Sequence, residues 1–75
     1  MVFEKVQEII AEHLGLDVDE VAFESNIKSD LDADSLDEVE IVMELEDAFD
    51  IEIPDEDASR FVTVEDIVKY VEGLI

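Results

Sequence analysis

The chain has 75 residues, and we interpret residues 1–75 as a single small domain. Hydrophobic residues make up 48% of it, which is enough for one compact core. Its 24 Asp and Glu residues against 4 Lys and Arg leave a net charge of −20. This charge excludes nucleic acid as a partner, because binding phosphates requires clustered basic side chains. The expected partners are proteins with basic patches, which a negative surface attracts.

The chain contains no cysteine and a single histidine, His13. Disulfides, thiolate metal sites and cysteine nucleophiles are therefore excluded, and a histidine-based triad is hard to assemble. No apolar run has the length of a membrane span, and the N-terminus lacks the apolar stretch of a signal peptide. We expect a cytoplasmic protein without membrane insertion, and nothing in the sequence marks a catalytic pocket.

The first predicted helix covers residues 2–14, where apolar residues recur every three or four positions. Gly15 follows at the position of a left-handed C-cap. His13 falls in the last turn, where a positively charged imidazole suits the helix dipole. Residues 16–34 sustain no helical period and are predicted to form a long loop with one short helical turn. The apolar residues expected to anchor that loop to the core are Leu16, Val18, Val21, Phe23, Ile27 and Leu31.

Three further helices are predicted after the loop. One covers residues 35–50, with Asp34 as its N-cap. Pro54 fits the first position of a short helix that ends near residue 59. The last helix follows Thr63, which begins a capping-box pattern, and its apolar face consists of Val64, Ile67, Val68, Val71 and Leu74. The predicted fold class is all-α: a small four-helix bundle of three longer helices and one short helix, with a long first loop.

At about 100° per residue, the second helix is apolar on two faces. The face expected to pack inward consists of Ile41, Val42, Leu45, Ala48 and Phe49. The nearly opposite stripe consists of Leu36, Val39 and Met43. The acidic residues around that stripe are Asp37, Glu40, Glu44, Glu46, Asp47 and Asp50. Two interpretations remain open: the stripe is a docking surface that its carboxylates steer toward basic partners, or the long loop covers it.

A run of acidic residues before the second helix resembles part of a metal site. Asp30, Asp32 and Asp34 have the spacing of the first ligands of an EF-hand calcium loop. The required Gly is replaced by Ser35 and the bidentate Glu by Ile41, so no specific metal site is predicted. Weak divalent binding remains open for the carboxylates of Asp30, Asp32, Asp34 and Glu38.

Ser35 begins the second helix beside the apolar stripe. A helix N-terminus offers free N–H groups and a positive dipole potential, so a phosphate attached to this hydroxyl would be stabilised there. The alternative is an ordinary serine at a helix start, and position alone favours that alternative.

The segment around Ser35 resembles the acyl carrier protein family. Residues 30–37 are DLDADSLD, and the family has Asp-Ser-Leu at the start of its second helix. Residues 44–54, ELEDAFDIEIP, resemble the end of that helix in the family, and residues 61–70, FVTVEDIVKY, resemble the entry to the fourth helix. The resemblance covers the whole chain and fits its length and charge.

This chain departs from the family pattern at three positions. Asp32 replaces the usual Gly, Ile27 replaces a frequent Phe, and Ser29 replaces a commonly acidic residue. Asp32 is the departure expected to change the turn ahead of the serine, or the docking of a particular transferase.

The resemblance implies that Ser35, between Asp34 and Leu36, carries 4′-phosphopantetheine derived from coenzyme A. It implies that the thiol of this arm holds growing acyl chains as thioesters. The protein would then be a carrier that presents the chains to other enzymes, and not an enzyme itself. The implied partners are a phosphopantetheinyl transferase and acyl-handling enzymes with basic docking patches. The docking residues expected for them are Leu36, Asp37, Val39, Glu40, Met43, Glu44 and Asp47.

Within the family, we expect a monomeric carrier of fatty acid biosynthesis. The alternatives are a carrier for polyketide, peptide or aminoacyl groups and, in a different class, an acidic calcium-binding or interaction module.

Overall fold

The computed structural model describes residues 2–75, which form four α-helices. They are α1 (Val2–Leu14), α2 (Ser35–Phe49), α3 (Asp55–Ala58) and α4 (Val64–Leu74), with a 3-10 turn at Val18–Glu20. Outside the helices, the described residues contain one isolated bridge, which pairs Asn26 with Thr63. None of the helices in residues 2–75 is long and apolar enough to cross a bilayer. The predicted all-α bundle of three longer helices and one short helix, with a long first loop, is confirmed.

Gly15 ends α1 as predicted. Its φ is 70°, a left-handed value that glycine adopts without strain. The N–H of Leu16 donates to the carbonyl of Ala11 at 2.8 Å, the hydrogen bond that closes a Schellman motif.

Thr63 caps α4 through the predicted capping box. The N–H of Asp66 donates to Thr63 Oγ1 at 3.3 Å, and the N–H of Thr63 donates to Asp66 Oδ2 at 3.1 Å. The same carboxylate oxygen accepts from the N–H of Val62 at 2.9 Å. The two backbone N–H donors hold the pKa of Asp66 below its ordinary value, because they stabilise the ionised carboxylate.

Three helix boundaries differ by about one residue from the sequence prediction. α2 ends at Phe49, because Asp50 takes left-handed backbone angles, with φ 55°, and forms the C-cap. Pro54 is the N-cap of α3, with an extended ψ of 149°, and not its first helical residue. α3 ends at Ala58. Each difference lies within the one or two residues by which helix ends commonly vary.

The core is formed by α1, α2 and α4 together with apolar residues of the long loop. Both α2 and α4 pack against α1. On α2, Ile41 and Leu45 are buried as predicted, and Val42 and Phe49 are half-buried. The largest fully buried side chains are those of Val6, Ile10, Val21, Leu45, Val64, Ile67 and Val71.

Three positions predicted to face the core are exposed. Ala48 lies one turn after the exposed Glu44, at the margin of the inward face of α2. Leu74 is the last residue of α4, so no following turn of helix covers it. Val18 lies in the 3-10 turn, which has no buried residue.

The long loop is tied to the connection between α3 and α4. The N–H of Ile27 donates to the carbonyl of Val62 at 2.9 Å, and the N–H of Val64 donates to the carbonyl of Ser25 at 3.1 Å. The buried apolar residues of the loop are Val21, Ile27, Leu31 and Ala33. The loop therefore contributes to the core and brings the chain back to the start of α2.

Candidate functional site

Ser35 is the first residue of α2, and its side chain is exposed. Asp34 precedes it as the predicted N-cap: its Oδ1 accepts from the N–H of Asp37 at 2.8 Å. In return, Asp37 Oδ2 accepts from the N–H of Asp34 at 3.2 Å. This capping box fixes the backbone on both sides of Ser35. The role of Asp37 in this capping box was not predicted from the sequence, although its three-residue spacing from Asp34 is a signal for it.

The turn that leads to Ser35 contains a strained residue. Asp32 has a φ of 59°, a left-handed value that glycine adopts freely and that Asp tolerates better than most residues. The next residue, Ala33, is buried, and its N–H donates to the carbonyl of Ile27 at 3.1 Å. Position 32 therefore has a backbone conformation that suits glycine, and Asp32 adopts it at a cost in strain.

The apolar stripe of α2 faces solvent. The exposed fractions of Leu36, Val39 and Met43 are 65%, 57% and 61%. The interpretation in which the long loop covers the stripe is therefore wrong. The stripe is a free apolar surface that begins next to Ser35.

One side of the stripe is acidic. We define the acidic edge as Asp37, Glu40, Glu44 and Asp47, which are spaced three or four residues apart and share one side of α2. His13, in the last turn of α1, lies against it. The ring Nδ1 is 2.9 Å from Glu44 Oε2. The ring Nε2 is 3.4 Å from Asp37 Oδ1 and 3.8 Å from Glu40 Oε2.

His13 lies in the last turn of α1 as predicted, whereas its contact with α2 was not predicted. The spacing of residues along α1 contains no signal for that contact, because it depends on how the two helices pack.

A groove of about 470 Å³ opens between α2 and α3, within the usual size range of small-molecule sites. Ser35 lines it, and its apolar lining consists of Val39, Val42, Met43, Ile53 and Ala58. A smaller gap near Phe61 and Ile67 has a volume of only about 10 Å³, room for at most one water molecule. The surface groove thus has room for an extended group attached to Ser35, whereas the gap beside the core has none.

The first turn of α2 suits a phosphate on Ser35. The N–H groups at the start of a helix have no partner within the helix, and the helix dipole is positive there. In α2 the side chain of Asp34 occupies only the N–H of Asp37. The exposed hydroxyl, the helix start and the adjacent groove together fit a phosphate-linked arm at this residue.

Tyr70 joins α4 to α3, which forms one wall of the groove. Its hydroxyl donates to Asp57 Oδ2 at 2.7 Å, and this hydrogen bond raises the pKa of Tyr70 above its ordinary value. The ring of Phe61 packs edge-on against Tyr70, with ring centroids 5.4 Å apart. These contacts hold the short α3 against the rest of the bundle.

Three of the four carboxylates predicted for weak divalent binding, those of Asp30, Asp34 and Glu38, have separate partners. Asp30 Oδ2 accepts from the N–H of Asn26 at 2.8 Å, and Glu38 Oε2 is 3.8 Å from Lys28 Nζ. Asp34 is occupied as the N-cap of α2. In the described part of the chain, residues 2–75, no three His, Asp or Glu side chains are grouped to hold a metal ion. Weak divalent binding there stays a prediction without a coordination site.

Comparison with known proteins agrees with this geometry. Residues 4–71 match the family described as phosphopantetheine attachment site. Over 73 residues, the chain is 54% identical to the acyl carrier protein of Clostridium acetobutylicum and 52% identical to that of Campylobacter lari. Each match covers 97% of this chain and 95% of the relative. The chain therefore belongs to the acyl carrier protein family, whose prosthetic group is 4′-phosphopantetheine.

Proposed function

We propose that this chain carries acyl groups of fatty acid biosynthesis as thioesters on a 4′-phosphopantetheine arm attached to Ser35. The observation that carries the proposal is the position of Ser35: it is exposed, first in α2, and beside an apolar groove. When attached, the arm supplies the thiol that this cysteine-free chain lacks.

The residues around Ser35 have distinct roles in this proposal. Asp34 and Asp37 hold the helix start rigid, so the serine hydroxyl has a defined position for the transferase. The free N–H groups of the first turn stabilise the phosphate. The groove receives the arm along Val39 and Met43.

The exposed stripe of α2 is the proposed docking surface, with Leu36, Val39 and Met43 as its apolar contacts. Burying these side chains against a partner supplies affinity, because each now exposes more than half of its surface. The acidic edge, Asp37, Glu40, Glu44 and Asp47, steers partners with basic patches and sets their orientation. The proposed partners are a phosphopantetheinyl transferase and acyl-handling enzymes.

In this proposal the chain is a cytoplasmic, monomeric carrier without catalytic residues. Fatty acid biosynthesis is favoured over other carrier pathways by the net charge of −20.

The test of attachment is intact mass after incubation with coenzyme A and a promiscuous phosphopantetheinyl transferase. We expect the chain and a Ser59→Ala control to gain one phosphopantetheine each, and Ser35→Ala to gain none. Ser59 is a matched control because it is also exposed and also lines the groove. Circular dichroism should show unchanged helix content in both variants. Modification that persists in Ser35→Ala would contradict the assignment of the attachment residue.

The pathway is tested separately. The phosphopantetheinylated chain is supplied with acetyl and malonyl groups and with purified enzymes of bacterial fatty acid synthesis. We expect long saturated acyl chains on the protein by mass spectrometry. Efficient attachment at Ser35 without chain growth would contradict fatty acid synthesis and leave the carrier assignment intact.

A further inference from the structure

Both ring nitrogens of His13 face carboxylates of α2. Nδ1 lies at hydrogen-bond distance from Glu44, 2.9 Å, and Nε2 lies 3.4 Å from Asp37. An ionised carboxylate only accepts hydrogen bonds. A neutral imidazole has one donor and one acceptor nitrogen, whereas an imidazolium donates from both. Carboxylates thus approach both nitrogens, as in an ion pair with a positively charged ring, and only 16% of the His13 side chain is exposed.

We propose that His13 is a specificity-determining residue of the docking surface: it is a cation from α1 that competes with a partner's basic side chains for the acidic edge. This inference rests on docking through α2, as in the proposed function. It adds His13, a residue of α1, to the docking surface on α2. The positive charge of His13 is opposite to the negative charge of the acidic edge.

The competition is uneven along the edge. His13 contacts Asp37, Glu40 and Glu44, whereas Asp47 lies one turn beyond Glu44 and outside these contacts. A partner whose basic groups face the end near Ser35 must displace the imidazole from its carboxylates. A partner whose basic groups face Asp47 meets no such competitor. Since specificity is a difference between affinities, His13 favours the second kind of partner over the first.

The competition depends on the charge of the ring. Histidine is the side chain that changes charge between about pH 5 and pH 8. The charged groups that face the ring, Asp37, Glu40 and Glu44, all belong to α2, and within residues 2–75 no other carboxylate lies within 4 Å of its nitrogens. The ring therefore competes with a partner more strongly at the acidic end of this interval.

The test compares association rates with a promiscuous phosphopantetheinyl transferase for the unmodified chain, His13→Gln and Lys5→Gln. The control removes a cation from the exposed side of the same helix. At low salt and about pH 6, we expect His13→Gln to associate up to about fivefold faster than the parent, the size of one unit-charge contact in water. At about pH 8.5, above the interval in which histidine side chains ordinarily change charge, the ratio should be lower than at about pH 6. The ratio for Lys5→Gln should be the same at both pH values.

A ratio for His13→Gln that is equal at both pH values would overturn the proposal, because a purely structural role does not change with the charge of the ring. Mass spectrometry of the same samples reports attachment at Ser35. If attachment at Ser35 is efficient but the His13→Gln rate ratio is the same at both pH values, only the role of His13 is overturned. A transferase that binds but leaves Ser35 unmodified overturns the proposed function.

A double-mutant cycle between His13→Gln and Glu44→Gln tests the contact without any partner. In urea unfolding at about pH 6, we expect a coupling of about two- to fivefold in the unfolding equilibrium constant. The matched cycle with Asp47→Asn should show no coupling, because Asp47 lies outside the contacts of His13. Equal coupling in the two cycles would overturn the contact on which the proposal depends.

Discussion

Alanine at two nearby positions of α2 should separate folding from docking. Leu45 is fully buried, whereas Met43, two residues earlier, has 61% of its surface exposed. Leu45→Ala removes three buried carbons at about 0.8 kcal/mol each, a loss of about 2.4 kcal/mol. The cavity left behind raises the loss in unfolding free energy toward about 5 kcal/mol. Met43→Ala leaves no cavity and should change that free energy by less than about 0.5 kcal/mol.

Thermal melting followed by circular dichroism measures the difference. In a domain of this size, 1 kcal/mol shifts the Tm by about 4–8 °C. Leu45→Ala should therefore lower the Tm by at least about 10 °C, and Met43→Ala by less than about 4 °C. Ile41→Val is a milder core variant for the case in which Leu45→Ala fails to fold. Its side chain is 2% exposed, and its expected loss is about 0.5–1.5 kcal/mol.

Docking should respond in the opposite order. Met43→Ala should weaken binding to the transferase, because it removes apolar surface from the exposed stripe. Ile41→Val should leave that binding unchanged, because the residue is buried in the free protein. If Met43→Ala has a lower Tm than both core variants, the assignment of Met43 to the outward face of α2 and of Leu45 to the inward face is refuted. Unchanged transferase binding by Met43→Ala would refute the docking role of the stripe.

Asp32→Gly should raise the unfolding free energy by up to about 1 kcal/mol, because glycine adopts the φ of 59° without strain; lower stability in urea titration would contradict this explanation. Between pH 7 and about pH 5 the Tm should rise as the pH falls, because repulsion within a compact chain of net charge −20 favours proton binding by the folded state. A Tm that falls over this interval would show that local contacts outweigh the repulsion. Below about pH 4 the Tm of the parent should fall, because folding lowers the pKa of Asp66. The ionised Asp66 carboxylate stabilises the fold fully above the ordinary Asp pKa of about 3.9. That stabilisation is lost as the pH drops through the lowered pKa of the folded protein. Asp66→Asn should lose less Tm over that acid interval, and an equal loss would assign the acid sensitivity to other groups.

The helix ends could be predicted from the sequence because they depend on residues that are close along the chain. Asp34 and Thr63 cap α2 and α4 through side-chain bonds to an N–H three residues later. Gly15 ends α1 through its own left-handed backbone. The position of Ser35 at the start of α2 follows from the same local pattern. The local pattern therefore placed Ser35 at the helix start, and the resemblance to the acyl carrier protein family made it the candidate attachment residue.

The character of the surface around Ser35 was decided by tertiary contacts. Periodicity identified two apolar faces on α2 but did not show whether the long loop covers the outer one. Hydrogen bonds from Ile27 to Val62 and from Val64 to Ser25 take that loop to the α3–α4 connection, and Met43 stays exposed.

The same reason applies to Ala48 and His13, whose surroundings were not predicted from the sequence. Ala48 lies at the margin of the inward face, where about 100° per residue does not decide between burial and exposure. His13 meets Glu44 because α1 and α2 pack side by side in one particular register. Helical spacing determines which residues share a side of one helix, whereas the packing of the helices decides which side meets a neighbour and which side meets water.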